Sequence, residues 1–429
     1  MIPCLEFLKN FLVYEMRKFS LLIIFFIQIA FSPFVFAGSV ENKSNWSAEY
    51  VRTLNRNAAT EAADAAVYNP AGVVNLEDGL YGAISMQNVR KDYSNTVADT
   101  EYESNTPSIV PGLFGVYKQG RWAAFAGVTV PIGGGRVEYD QGSVTTLAVA
   151  DAMIAALPTA AGYSLADQSL EADSFAIGYT LGGAYRIHPR ISVSLAARYI
   201  DSKKNADGSV TVGSAFGPAV APDLSAEMEY QQQASGWGAV IGADFFPTEN
   251  LTVAGRYETA TRLEYEVDVK EDNLDILASM GITDGSKSRR DLPALLGVGI
   301  AYRLSSGLRI ETNCTYYFQE AADWDGAEKE VNNGFEAGIA LEYAMTPKIT
   351  ASVGYLYTDT GIDADAMLPE APELDAHSIG GGFLISPLPG FDMTFSIAKI
   401  SYISKTTHTN VDYEKDALIL AFGLQYKFL

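Results

Sequence analysis

From residue 80 onward, two kinds of position alternate along the chain. In 417–429 the even positions are Leu418, Leu420, Phe422, Leu424, Tyr426 and Phe428, and the odd ones are Ala417, Ile419, Ala421, Gly423, Gln425 and Lys427. In 308–318, Leu308, Ile310, Thr312, Cys314, Tyr316 and Phe318 oppose Arg309, Glu311, Asn313, Thr315 and Tyr317. A period of two places such sets on opposite faces of a β-strand. Fourteen segments read this way: 80–89, 109–117, 121–132, 174–187, 191–201, 227–246, 250–268, 291–305, 308–319, 333–345, 348–358, 376–386, 391–403 and 415–429. Their connections alternate between six short turns and seven long loops, the latter near 90–108, 133–173, 202–226, 269–290, 320–332, 359–375 and 404–414. That rhythm predicts an all-β fold, a fourteen-stranded antiparallel transmembrane β-barrel with both chain ends on the short-turn side. Aromatic residues recur at outward strand ends (Tyr185, Tyr199, Tyr257, Tyr302, Tyr343, Tyr355, Phe391, Phe428), where amphipathic rings suit a lipid–water boundary.

The pattern breaks before residue 80. Residues 48–67 are Ala-rich, do not alternate, and read as partly helical; Asn69-Pro70-Ala71-Gly72 then supplies turn chemistry. Fourteen strands enclose a bore too wide for strand side chains to fill. Residues 38–79 are therefore expected inside the lumen as a hatch, and 80–429 as the barrel. Further upstream, Met16-Arg17-Lys18 and the apolar stretch 19–34 precede Val35-Phe36-Ala37, which has the build of an export signal covering 1–37, with Met16 a second candidate start.

Composition narrows the function classes. The 429 residues carry a formal charge of −22, which argues against a nucleic-acid partner. Cys314 would stand alone once the leader with Cys4 is removed, which excludes a disulfide framework. His188, His377 and His408 are far apart and form no metal-ligand or nucleophile–base set, so the expectation is no enzyme, no catalytic residue, no metal and no cofactor. Asp323, Asp325, Asp359, Asp363 and Asp365 read as solvated loop charge.

Arg56-Asn57-Ala58-Ala59-Thr60, Ala62-Ala63-Asp64-Ala65 and Asn69-Pro70-Ala71-Gly72, together with Val130-Pro131-Ile132-Gly133 and Leu292-Pro293-Ala294, carry a resemblance. The chain resembles the FadL/TodX family of outer-membrane transporters for long-chain fatty acids and other hydrophobic compounds. It departs in ending Phe428-Leu429, where the family usually ends in an aromatic residue. The resemblance implies residence in the bacterial outer membrane, delivery by the barrel assembly machinery, contact with lipid and lipopolysaccharide, and work as a monomer. It also implies passive uptake of fatty acids or similar molecules through a plugged barrel with a lateral exit. Aromatic hydrocarbon uptake and a structural or adhesive barrel are the alternatives.

Three groups of candidate residues follow. Asn69, Pro70, Ala71 and Gly72 form the hatch turn, which the resemblance sets against the third strand, where Pro131 and Gly133 weaken the ladder; together they would gate a side passage. Phe216 and Val220 in the third long loop, with Leu274, Ile276, Leu277 and Met280 in the fourth, put apolar surface where solvated loops should be polar. The resemblance implies a capture groove there, and 147–157 is a further apolar stretch. Arg198, Arg256, Arg303 and Arg309 face inward; a guanidinium there suits a carboxylate head group, or pairs with lumen acids. Small inward residues (Gly297, Gly299, Gly338, Ala340) are expected to leave room for cargo.

Overall fold

The computed structural model describes residues 46–157, 162–218, 221–304 and 307–428. The leader and residues 38–45 lie outside them, as does Val220. Fourteen antiparallel strands close into a barrel. They are β1 (Gly79–Val97), β2 (Thr100–Ser104 continued by Ser108–Gln119), β3 (Trp122–Tyr139), β4 (Tyr163–His188), β5 (Ile191–Ser214) and β6 (Leu224–Thr248). β7 is Leu251–Glu258 continued by Glu264–Asp272, β8 Lys287–Arg289 continued by Leu295–Arg303, β9 Leu308–Tyr317 and β10 Gly334–Thr346. β11 (Ile349–Asp359), β12 (Ala376–Leu388), β13 (Phe391–Tyr402 with Lys405–Thr406) and β14 (Val411–Lys427) complete the wall. β14 pairs back onto β1 from Tyr81↔Lys427 to Val97↔Val411, so no sheet edge remains at the closure.

The alternating pattern has the orientation a membrane demands. Leu181, Trp237, Leu195, Ile109 and Ile379 point outward and are each at least 60% exposed. Buried positions on the strands of the wall include Ser85, Gln87, Ser194, Arg198 and Glu311, a polar interior behind an apolar exterior. Aromatic rings mark both rims: Trp122, Tyr185, Tyr302, Tyr343 and Phe428 by the short turns, and Tyr179, Tyr199 and Trp237 further up, with the Tyr199 and Trp237 centroids 5.0 Å apart.

Several strands run past the expected boundaries. β1 continues to Val97 and β4 begins at Tyr163; β5 reaches Ser214 and β6 begins at Leu224. The first and third long loops therefore shrink to 98–99 and 215–223, and much of 90–108 and 202–226 is strand. These extensions are more polar than the wall, but Val210, Val212, Ala226 and Met228 keep the period of two and bury against the outer loops. β3 also continues through Pro131 to Tyr139, so the glycine run is a distorted stretch of wall and not a strand end. We number the outer loops L1 to L7 in chain order. L2 carries helix α3 (Val144–Ala155), capped by Ser143, whose Oγ accepts from Thr146 N while Thr146 Oγ1 accepts from Ser143 N.

Residues 46–76 sit inside the barrel as α1 (Ala48–Thr53), α2 (Ala65–Tyr68) and a 3₁₀ turn (Pro70–Asn75). Short helices of this kind have little stability alone. Packing holds them: Trp46, Tyr50 and Tyr68 stack with centroids 5.3–5.5 Å apart, and nearly the whole segment is buried.

Candidate functional site

The floor of the lumen is a polar lock between hatch and wall. Arg52 reaches Glu342 and Ser352 on the wall, and its Nε lies 2.5 Å from Glu49. Arg56 pairs with Asp64 at 2.5 Å and with Glu61 inside the hatch. Arg309, from β9, joins Glu311 and Glu342 and donates to Ala58 O at 3.1 Å, while Glu311 accepts from Ala58 N at 3.0 Å. Burial alone would raise the Glu61 carboxyl, but the Arg56 and Arg309 guanidiniums hold it well below the usual carboxylate range.

Close backbone approach completes the seal. A Cβ on Gly354 would fall 1.7 Å from Thr53 O, one on Gly380 2.3 Å from Val51 O, and one on Gly338 2.6 Å from Asn55 Oδ1. The expectation for the small inward residues is corrected here. Gly297, Gly299 and Gly338 make room for Asn55, Asn57 and Ala58 of the hatch, not for cargo.

The Asn69-Pro70-Ala71-Gly72 turn is fully buried. Asn69 Nδ2 donates to Ala59 O at 3.0 Å and to Asp244 Oδ2 at 2.9 Å. Ser192 Oγ donates to Ala71 O at 2.8 Å, and Gly242 lies against Pro70. The turn's polar contacts with the wall are thus on β5 and β6. Val67, two residues earlier, packs on Gly127 of β3. Asn69 Oδ1 and Asp244 Oδ1 are buried without a protein hydrogen-bond partner.

Above the hatch the wall is interrupted. β2 and β3 pair only from Gln119↔Trp122 to Leu113↔Val128. Beyond that, Ser108–Gly112 remain bonded to β1, and β3 follows β4 through two register shifts, at Thr129/Ile132 and Gly133/Gly135. Proline at 131 cannot donate to a ladder, and Gly133 and Gly134 have φ of +70° and +80°, a conformation costly for other residues. The seam closes again higher up, where Glu138 N donates to Ser104 Oγ at 2.9 Å. The result is a framed window lacking main-chain pairing, with Gly134 against Val110 and Gly135 against Ser108.

The window adjoins an apolar chamber. Tyr50 and Leu54 of the hatch and Val89, Val110, Val130, Leu356, Ile400 and Ile419 of the wall line about 820 Å³ of open space. A second cavity of about 700 Å³ shares Lys91 and Gly133 with it and adds Ser108, Arg136, Ser174, Glu373 and Lys415. Lys415 Nζ lies 4.8 Å and 4.5 Å from the Tyr93 and Tyr402 ring centroids. Nearby, Lys204 sits over Tyr265 at 4.2 Å and Arg290 over Trp324 at 3.9 Å. Arg290 is buried, and its Nε and Nη1 have no protein hydrogen-bond partner. The upper lumen of a strongly acidic chain therefore collects cations.

Three of the four sequence-predicted arginines have other occupations. Arg198 pairs with Glu258; Arg256 lies 3.0 Å from Glu258 and donates to Val67 O and Tyr68 O at 2.6 Å; Arg309 belongs to the floor lock. Arg303 is exposed at the short-turn end of β8. None of the four lines the chamber or the cavity above it. The cations that do, Lys91, Arg136 and Lys415, fall where sequence reading places loop or strand end, and nothing local marks them.

The outer loops form an apolar groove of about 620 Å³ lined by Val149 of L2, Met228 and Tyr230 of β6, Leu277, Met280 and Ile282 of L4, and Leu368 of L6. Leu274 and Ile276 pack behind it. Among the described residues of L3 none lines the groove: Phe216 is 61% exposed and apart from it, and α3 of L2 supplies lining instead. Among the described residues no group of three His, Cys, Asp or Glu is placed to hold a metal ion. Asp323 pairs with Arg289, and Asp365 with His408.

Comparison with known proteins agrees with this architecture. Residues 225–386 match the family model for an outer membrane protein beta-barrel domain. No curated protein sequence matches the chain. Among solved structures, a FadL homologue from Pseudomonas aeruginosa superposes with a TM-score of 0.67 at 12% identity, over 90% of this chain and 98% of that one. The toluene transporter TodX of P. putida gives 0.63 at 14% (87% and 97% covered), and the toluene transporter TbuX of Ralstonia pickettii 0.62 at 16% (91% and 100%). The fold is that of the FadL and TodX barrels. The protein is an outer-membrane β-barrel, with an apolar outward belt and a closed wall.

Proposed function

We propose that this protein is a passive conduit that admits hydrophobic molecules from outside the cell and releases them sideways into the outer membrane. The observation that carries the reading is the unpaired β2–β3 window opening beside an apolar chamber, above a floor sealed by the hatch. Cargo would gather on the L2/L4 groove, pass into the chamber and leave by the window, since the axial path is filled. Apolar burial, at roughly 25 cal/mol per Å², supplies the binding energy. Exchange between sites needs no energy source.

The preferred cargo is a long-chain fatty acid or a similar anionic amphiphile. Its chain suits the aliphatic chamber, and its carboxylate suits Lys91 and Lys415, which line the chamber and the cavity above it and give charge-assisted hydrogen bonds, with Lys204 and Arg290 adding to the field. The almost wholly apolar groove favours neutral aromatic hydrocarbons as a second reading. In this account Asn69, Pro70, Ala71 and Gly72 with Pro131 and Gly133 set the passage, Leu277 and Met280 the capture. A closed wall holding its entire route works as a monomer; residues 1–37 serve export, and the β14 end at Phe428 serves assembly by the barrel machinery. Uptake of radiolabelled oleate and of toluene into cells with and without the gene tests this. The expected result is slower oleate uptake on deletion. Loss for toluene alone moves the assignment to hydrocarbons, and no change for either removes the transport reading.

A further inference from the structure

The outer groove and the cavity above the window are separated by one thickness of chain. Residues 368–374 of L6 cross the barrel mouth; Leu368 and Glu370 face the groove, while Ala371 and Glu373 face the cavity, and Ala172 of β4 lines both spaces. Two prolines, Pro369 and Pro372, remove backbone donors from this segment, so it cannot join a ladder and is held by others' groups. Asn95 Nδ2 donates to Pro369 O at 2.5 Å, Tyr139 OH to Glu370 O at 2.9 Å, and Lys415 Nζ to Pro372 O at 3.3 Å. The Glu370 carboxylate accepts from Thr145 N, in the first turn of α3, at 3.1 Å. That contact ties the segment to the same helix whose Val149 lines the groove. Below it, Glu373 stands within electrostatic reach of Lys204 and Arg290.

We propose that 368–374 is a displaceable gate between the capture groove and the lumen, latched to L2 through Glu370 and to the barrel rim through Asn95 and Tyr139. Side-chain-to-backbone tethers suit this role because each breaks singly, whereas a strand ladder resists as a unit. Glu370 is a positioning residue: it holds the gate to α3, and a molecule wedging into the groove between Val149 and Leu277 displaces the helix that the latch needs. The proposal takes the transport route above as its setting, but its test does not depend on transport.

Cysteine accessibility reads the gate directly. In a Cys314→Ser background, Ser174→Cys places a thiol on the cavity below the gate, and Ala278→Cys one on exposed L4. A membrane-impermeant maleimide is applied to intact cells. We expect Ser174→Cys to react at least tenfold more slowly than Ala278→Cys, and to accelerate at least tenfold when Asn95→Ala and Glu370→Ala are added. Ala278→Cys should not change. Glu370→Gln, which keeps an acceptor for Thr145 N, should leave the slow rate largely in place, and heat-modifiable migration in gels checks that each barrel is folded. Equal rates at the two thiols in the parent, or no acceleration in a folded double variant, overturns the gate. If labelling behaves as expected while oleate and toluene uptake are unaffected by deletion, the gate stands and the transport reading falls.

Discussion

The two halves of this lumen solve opposite problems with the same wall. At the floor, the inward face is charged and the hatch meets it with matching groups: Arg52, Glu342, Arg309 and Glu311 form a chain of ion pairs across hatch and wall, Arg56, Glu61 and Asp64 a second one inside the hatch, and glycines on β8, β10, β11 and β12 let the hatch approach the wall closely. Above the hatch an aliphatic chamber lies below a more polar cavity, the β2–β3 ladder is missing, and both spaces remain open. Buried ion pairs are expensive to form but much more expensive to break on one side, so the floor is specified tightly. The window has no ladder to break. In the proposed route, the locked floor and the unpaired wall together favour a sideways path over an axial one.

The contrast is broken most severely from the floor. Arg309→Ala leaves Glu311 and Glu342 buried without their common cation, a change worth about 3–5 kcal/mol in comparable buried pairs. The expected outcome is a folded barrel with an unseated hatch, read as large-antibiotic sensitivity and as new ion conductance in planar bilayers. An unchanged conductance would mean the hatch does not depend on the lock.

Acidity should loosen the same lock from outside. The Glu61 carboxyl is held below its unfolded value of about 4.3. Its contribution is therefore fully present above that value and is lost as pH falls through the lower folded one. Conductance of the reconstituted protein should stay low from pH 7 to about pH 4.5 and rise below about pH 4, and Glu61→Gln should flatten that rise. A rise towards alkaline pH would have the wrong sign.

The smallest effect is expected at the capture groove. Replacing Leu277 and Met280 with Ser removes apolar lining without touching chamber or floor. Uptake at low substrate should fall a few-fold and approach normal at saturation, because the groove only concentrates cargo. An equal loss at all concentrations would place the groove on the obligatory path.

How much of this could be read from sequence follows from which constraints are local. A membrane forces alternation along each strand, so fourteen strands and their faces are visible in runs such as Leu418–Phe428. Strand extents were less legible, because Asp201–Ser214 is strand that stands outside the lipid and has lost its apolar outer face. The hatch turn and Pro131 with Gly133 were legible as irregularities, and the structure places them at a buried turn and a ladder break. Partnership was not legible. Nothing in the composition around Arg256 says that its guanidinium meets Val67 O and Tyr68 O, 189 and 188 residues away. Nor can a glycine such as Gly338 announce whether its empty side will hold cargo or Asn55. Lys415 has the same history: its role depends on Tyr93, Tyr402 and L6, which come from three distant parts of the chain.

The central claim is that cargo leaves through the β2–β3 window, and a reversible staple across it is the most direct test. A Cβ on Gly135 would lie 3.3 Å from Ser108 Oγ, which is within reach of a disulfide between Ser108→Cys and Gly135→Cys. Built in a Cys314→Ser background, this pair should oxidise without disturbing the hatch or the groove. Oleate uptake into intact cells should fall at least tenfold when the staple is closed and return when it is reduced, with either single cysteine variant unaffected. Normal uptake through a fully oxidised, folded barrel would contradict lateral release and require an axial path past the hatch.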